Sequence, residues 1–332
     1  MSAPRPFFID GATLPATTPP KLTGPWSPAD TRIDRAVLVP LPSGHAPEDV
    51  AADPSGTIFT GTHEGVVWQL RDGAFERLAE TGGRPLGIEH DPGDDSLIVC
   101  DAHRGLLRLT RDGAVRDLTR SAAGTEILFC NNAAIARDGT VFFSDSSSRF
   151  PLAHWRRDLL EHRPNGRVLA YDPAARTTTV VASGLYFPNG VALTPDDSAL
   201  LVCETVAHRL TRIALPSGAA TVLTDLPAYP DNMSPVGDGT FWIALASPRV
   251  AIAERLLPYP RVRKAVAVLP TWLQPQPGKH TIAALVDADG TVLRTLHSPA
   301  GHYPMLTGVR QSGGRLWFGS LTERSVAHVD LG

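Results

Sequence analysis

The sequence predicts an all-β fold: a six-bladed β-propeller of four-stranded blades, its last blade closed by a strand from the N-terminus, with short helical cap insertions. Three observations carry that prediction. Glycine (29) and proline (30) are both abundant, which calls for many tight turns between short strands rather than a few long helices. One pattern recurs six times along the chain. The length, 332 residues, exceeds that of a usual domain but suits one large all-β unit.

Each copy has two lead residues, a short alternating strand, a Gly/Asp turn, and an apolar strand ending in small or polar residues. In order they begin "EDVAADPSGTIFTG" at 48, "LGIEHDPGDDSLIVCD" at 86, "NNAAIARDGTVFFSD" at 131, "NGVALTPDDSALLVCE" at 189, "DNMSPVGDGTFWIAL" at 231 and "TGVRQSGGRLWFGS" at 307. Most copies are followed by two further strands, as in "GRVLAYDPAARTTTVVASG", which makes a four-stranded blade. The last copy retains only "RSVAHVDL", one strand short. "RAVLVPLP" (35–42) supplies the missing strand and leaves no open sheet edge.

The chain therefore divides into an N-terminal extension, 1–34, and a single propeller domain, 35–332. Two stretches break the rhythm. Residues 149–165 have helical spacing and read as an excursion from blade three. Residues 248–278, between copies five and six, read as a short helical cap carrying Arg249, Arg255, Arg261, Arg263 and Lys264. Such a basic, apolar cap leaves weak contact with a membrane surface open, although a lid with solvated charges is the plainer reading.

Composition excludes several classes. Hydrophobic residues at 42% and charged residues at 20% fit a packed core rather than disorder. A formal charge of −3 gives no footprint for nucleic acid. No apolar run reaches membrane-spanning length, and the first twenty residues lack the charged start and apolar stretch of a secretory signal. Cys100, Cys130 and Cys203 are odd in number and lack metal-type spacing, so buried reduced thiols and a cytoplasmic location are expected.

The first strand of a blade lines the central channel, so the six lead residues should ring its mouth. They are Glu48, Leu86, Asn131, Asn189, Asp231 and Thr307. Any one polar residue among them reads most simply as a turn or strand-end cap. Four in register, Glu48, Asn131, Asn189 and Asp231, make a metal site the better reading. Two carboxylates and two carboxamides suit a hard divalent cation, Ca²⁺ first, with Mg²⁺, Mn²⁺ or Zn²⁺ as alternatives. The neighbouring Asp49, Asn132 and Asn232 would orient these ligands or hold a deeper ion. Candidates for a catalytic base are Asp231 itself, His103, His302 and Glu204; Leu86, Tyr303 and Thr307 are candidates for the substrate pocket.

At these residues the chain resembles the strictosidine-synthase-like branch of the six-bladed propellers related to gluconolactonases and paraoxonases. The resemblance runs from about Arg35 to the C-terminus and is most specific at "GLYFPNGVALTPDDSALLVCET" and "PDNMSP". It implies that the positions of Glu48, Asn131, Asn189 and Asp231 hold calcium or a similar ion in metal-dependent relatives. It also places the synthases' catalytic glutamate on Thr307 and the paraoxonases' histidine on Leu86. Neither acid nor histidine is present, which disfavours metal-free synthase chemistry and bars direct transfer of the histidine mechanism.

The expected function is metal-dependent hydrolysis of a small-molecule lactone or aryl ester. Two alternatives remain: a propeller in which the ion merely organises a binding face, and a biosynthetic lyase, isomerase or bond-forming enzyme.

Overall fold

The computed structural model describes residues 8–332 and has six four-stranded antiparallel sheets. Each blade's first strand lies inward. These strands are Val50–Ala52, Pro85–Asp91, Cys130–Ile135, Pro188–Leu193, Ala228–Pro235 and Leu306–Ser312. Each successive inner strand packs against the next, and the last returns to the first, so the blades close into a ring. Val37–Pro40 pairs with Ser325–Asp330 as the outermost strand of blade six, Val37 opposite His328 and Pro40 opposite Ser325. The closure expected from "RAVLVPLP" is present.

Apolar runs become buried second strands because a blade is covered on both faces by its neighbours. Ala199–Glu204 is buried along its whole length, and Ser96–Asp101 likewise. Between blades five and six, Trp242, Phe318, Leu316 and Tyr303 form one continuous apolar layer. The three cysteines are free and buried.

Both insertions sit inside a blade, between its second and third strands, rather than between blades. In blade three this is α1, Trp155–Glu161; in blade five it is α2, Ala251–Arg255, and α3, Pro260–Ala267. The two meet: the buried Arg263 guanidinium of α3 donates to the carbonyls of Leu160 (2.7 Å) and Glu161 (3.0 Å), capping the electronegative end of α1. The expected basic cluster thereby splits. Arg263 and Arg249 turn inward, Arg249 onto Glu254 at 2.5 and 2.6 Å, whereas Arg255, Arg261 and Lys264 are exposed. Among the described residues no helix is long and apolar enough to cross a membrane.

Candidate functional site

The inner strands do not pair regularly where the lead residues fall. Pairing with the second strand skips between Pro85 and Ile88, Cys130 and Ala133, Pro188 and Val191, and Pro230 and Met233, with a smaller shift between Leu306 and Gly308. A bulge frees its residues from the ladder and re-aims their side chains. In each case the skipped residues are the lead pair or its first member.

The second position of the pair alternates around the ring. Blades one, three and five carry Asp49, Asn132 and Asn232; blades two, four and six carry Gly87, Gly190 and Gly308. Each glycine presses on the polar pair of the next blade. A β-carbon on Gly87 would lie 2.5 Å from the Asn131 carbonyl oxygen, on Gly190 2.7 Å from that of Asp231, and on Gly308 2.9 Å from that of Glu48. Hydroxyls fix the same backbone: Ser146 donates to Pro188, Thr205 to Pro230 and Thr307 to Glu48, all at 2.7 Å.

On this frame the four expected ring residues are all buried, Asp231 most open at 7%. Asn131 Nδ2 donates to Ser146 Oγ at 2.9 Å, and Asn232 Nδ2 donates to Glu48 Oε2 at 3.1 Å. The Asn189 side chain hydrogen-bonds Asp231. Asn131 Oδ1, Asn189 Oδ1, Asp231 Oδ1 and Asn232 Oδ1 have no hydrogen-bond partner in the protein. Buried oxygens are nearly always partnered, so four orphans from three blades are the chemistry expected of cation ligands. Among the described residues no three His, Cys, Asp or Glu side chains are placed to hold a metal, so a cation here would depend on the amide oxygens.

Deeper in the channel, Asp49 Oδ2 accepts from Asn132 Nδ2 (3.3 Å) and from the Ile88 amide (3.2 Å), while Asn132 Oδ1 accepts from the Val191 amide at 3.0 Å. Asp49 and Asn132 thus brace neighbouring blades. Arg310 follows, paired with Glu89. Burial, reinforced by Asp231, pushes the Glu48 carboxyl up to about 8; burial also pushes Asp231 up to about 8, with Asp49 adding to it. Burial and Glu48 raise Asp49 as well. The buried Arg84 guanidinium opposes the shift at Glu48.

An apolar cavity has about 940 Å³ of empty space including its open mouth, and none of the lead residues is in its wall. Trp155 and Leu159 of α1, Val206 and His208 of blade four, Tyr229, and Leu257 beyond α2 contribute to its wall. Tyr229 and Met305 of its wall stand two residues before Asp231 and Thr307, and Thr205 of the same wall donates to the Pro230 carbonyl beside Asp231, at 2.7 Å. His208 is 6% exposed and its Nε2 has no hydrogen-bond partner. The nearest acid, Glu254 Oε1, is 4.0 Å away, too far for a hydrogen bond. Burial, with Arg249 and His162 adding, holds the imidazole well below its ordinary value, so it is neutral at pH 7.

Several expected site residues are elsewhere. Glu204 is fully buried and saturated: it accepts from Arg209 Nε (2.7 Å), Thr211 Oγ1 (2.5 Å) and the Tyr186 amide (2.8 Å), so it is a strand-end brace rather than a free base. His302 is exposed, with Nε2 3.3 Å from the Ala36 carbonyl at the outer strand. Tyr303 is core: its hydroxyl donates to Phe318 (3.1 Å) and Ser325 (2.7 Å). His103 is exposed in the turn after the second strand of blade two and does not line the cavity. Leu86 packs with Phe129 and Phe187 in a neighbouring apolar cluster. Thr307 stays at its lead position, but its hydroxyl is committed to Glu48.

The sequence reading missed His208, Tyr229 and the cavity. A signal was there: Phe129, Phe187, Tyr229 and Met305 each stand two residues before a lead residue, a repeated bulky apolar position above the ring.

Fold and site together define a six-bladed propeller with a buried polar ring at its centre and an apolar cavity roofed by its insertions. A strictosidine synthase profile matches residues 131–216, and a profile of the strictosidine synthase-like N-terminal region matches 24–70. Protein STRICTOSIDINE SYNTHASE-LIKE 6 of Arabidopsis thaliana is 34% identical over 297 residues, spanning 86% of this chain and 79% of its own. The adipocyte plasma membrane-associated protein of Rattus norvegicus is 28% identical, spanning 97% and 93%. Among solved structures, a gluconolactonase from Xanthomonas campestris superposes with a TM-score of 0.64 at 21% identity, covering 96% of this chain and 97% of that one. A luciferin-regenerating enzyme gives 0.64 at 14%, covering 89% and 95%. The structural likenesses are of fold. The chain belongs to the strictosidine synthase-like family.

Proposed function

We propose that this protein is a divalent-cation-dependent hydrolase of lactones or aryl esters, with Ca²⁺ the cation that suits its donors best. The observation that carries the reading is the convergence of Glu48 with the unpartnered oxygens of Asn131, Asn189 and Asp231, from four blades, in a propeller whose insertions roof an apolar cavity. Glu48, Asn131, Asn189 and Asp231 would hold the cation, and Asn232 keeps Glu48 aimed. When bound, the cation supplies Lewis-acid polarisation of the substrate carbonyl.

The chain's own residues supply the rest. The walls from Trp155, Leu159 and Tyr229 take the apolar part of the substrate and exclude water from it. Asp231 is the carboxylate placed to accept a proton from attacking water. His208, neutral and unpartnered at Nε2, is a second proton acceptor on the cavity side. Synthase chemistry is not favoured: the position that the resemblance assigns to the catalytic acid is Thr307, whose hydroxyl proton is engaged by Glu48.

A panel of lactones and aryl esters assayed before chelation, after chelation and after calcium add-back tests the reading. Hydrolysis that disappears and returns supports it. Hydrolysis indifferent to chelation removes the cation from the mechanism, and cation binding without turnover moves the assignment to a binding or biosynthetic propeller.

A further inference from the structure

The outer face of the blade-five cap is unlike the rest of the surface. Thirteen large apolar side chains are exposed among the described residues, and seven fall in one short run: Ile252, Tyr259, Val262, Val268, Leu269, Trp272 and Leu273. Trp272 is the most exposed of all thirteen, at 74%. Phe8 (61%) extends the patch, because it shares a groove with Val268, Arg157 and Lys264. Apolar residues scattered singly over a surface need no explanation, but a cluster does.

Charge selects the partner. Residues 249–280 hold six Arg or Lys against one acid in a chain whose net charge is −3. That acid, Glu254, is buried and neutralised by Arg249. Arg255 and Arg261 are exposed among the apolar residues with no acid of the cap to balance them, and the exposed Lys264 faces only Asp10 of the N-terminal segment, at 3.8 Å. A second copy of the same face would set these cations against each other. A surface offering both negative charge and a yielding apolar layer satisfies both features, and Trp and Tyr are the side chains favoured at such a boundary.

We infer that the outer face of the cap docks on an anionic lipid surface, with Trp272, Val268 and Leu269 entering the headgroup boundary and Arg255, Arg261 and Lys264 facing lipid phosphate and carboxylate. The inner side of the same cap walls the cavity through Leu257 and Arg263, so docking would set the cavity roof against the bilayer. This stands apart from the hydrolase reading and needs no ring residue.

Flotation of the full chain with phosphatidylcholine vesicles, with and without phosphatidylserine, tests it. The protein should float with the anionic vesicles, stay behind with the neutral ones, and be released by high salt. Trp272→Ala combined with Val268→Asp, and separately Arg261→Glu combined with Lys264→Glu, should each lower the bound fraction at least tenfold without altering the melting temperature. Val180→Asp with Val222→Asp, at exposed apolar sites on outer strands, should bind like the parent. No flotation with anionic vesicles, flotation unaffected by either cap variant, or a parent that dimerises through the cap instead would each overturn the inference.

Discussion

Gly190 of blade four lies against Asp231 of blade five so closely that a β-carbon on the glycine would come within 2.7 Å of the Asp231 carbonyl oxygen. The blade-five amide of Met233 would be nearer still, at 2.5 Å. Both neighbours are backbone, so neither can rotate away. Gly190→Ala is therefore predicted to displace the Asp231–Asn232 segment, lowering stability by about 1–3 kcal/mol and weakening cation affinity. Thermal melting and calcium titration of the same sample check this; an unchanged affinity would mean the ring does not depend on that contact.

Glu48 and Asp231 give the chelated protein a pH dependence of definite sign. Their ordinary values are 4.5 and 3.8, and both are raised to about 8 in the fold. Below about 4 both states hold the protons and nothing is lost. Between there and about 8 the unfolded chain has released protons that the fold retains, so stability falls as pH rises through that window and levels off above it. Melting temperatures of chelated protein should decline over this range, and saturating calcium should remove the decline. A rise over the same range would contradict the mutual burial of these acids.

Removing a ligand and removing a brace should separate cleanly. Asp231→Asn and Glu48→Ala are expected to abolish tight calcium binding and hydrolysis. Thr307→Ala deletes only the bond to the Glu48 carbonyl, costing about 1 kcal/mol of stability and leaving binding in place. Calorimetric titration of the three variants distinguishes them, and tight binding by Glu48→Ala would dismantle the four-blade site.

Glu204 and His208 make opposite predictions. Glu204→Ala leaves the Tyr186 amide and the Thr211 hydroxyl without their acceptor and the partly exposed Arg209 without its partner, at about 1–3 kcal/mol, yet kcat per folded molecule should hold. His208→Gln should barely move the melt while lowering kcat and flattening the acid limb of its pH profile. A profile of unchanged shape would exclude His208 from proton transfer.

Much of the blade architecture was legible because it repeats. Six lead pairs and the Gly/Asx alternation come from one period read along the chain, and the strand expected within 35–42, because the last copy is one strand short, is present as Val37–Pro40. The bulges that aim Asn131, Asn189 and Asp231 inward fall on the same pairs. What escaped lies where the period stops. The cavity forms because α1 and the cap, about ninety positions apart, meet through Arg263, and nothing in either stretch announces the other. Glu204 looked like a free acid at a strand end, since its donors lie elsewhere in the chain: Arg209 and Thr211 on the next strand and the Tyr186 amide in the connection before the blade. The cap's cations read as one cluster, but Arg249 and Arg263 were needed inside, leaving a smaller outward set.

The most direct test is a calcium titration of the chelated full chain by calorimetry, run in parallel on parent and Asp231→Asn. The ring requires one tight ion per parent chain and none on the variant. Absence of binding by the parent, or equal binding by both, would contradict it.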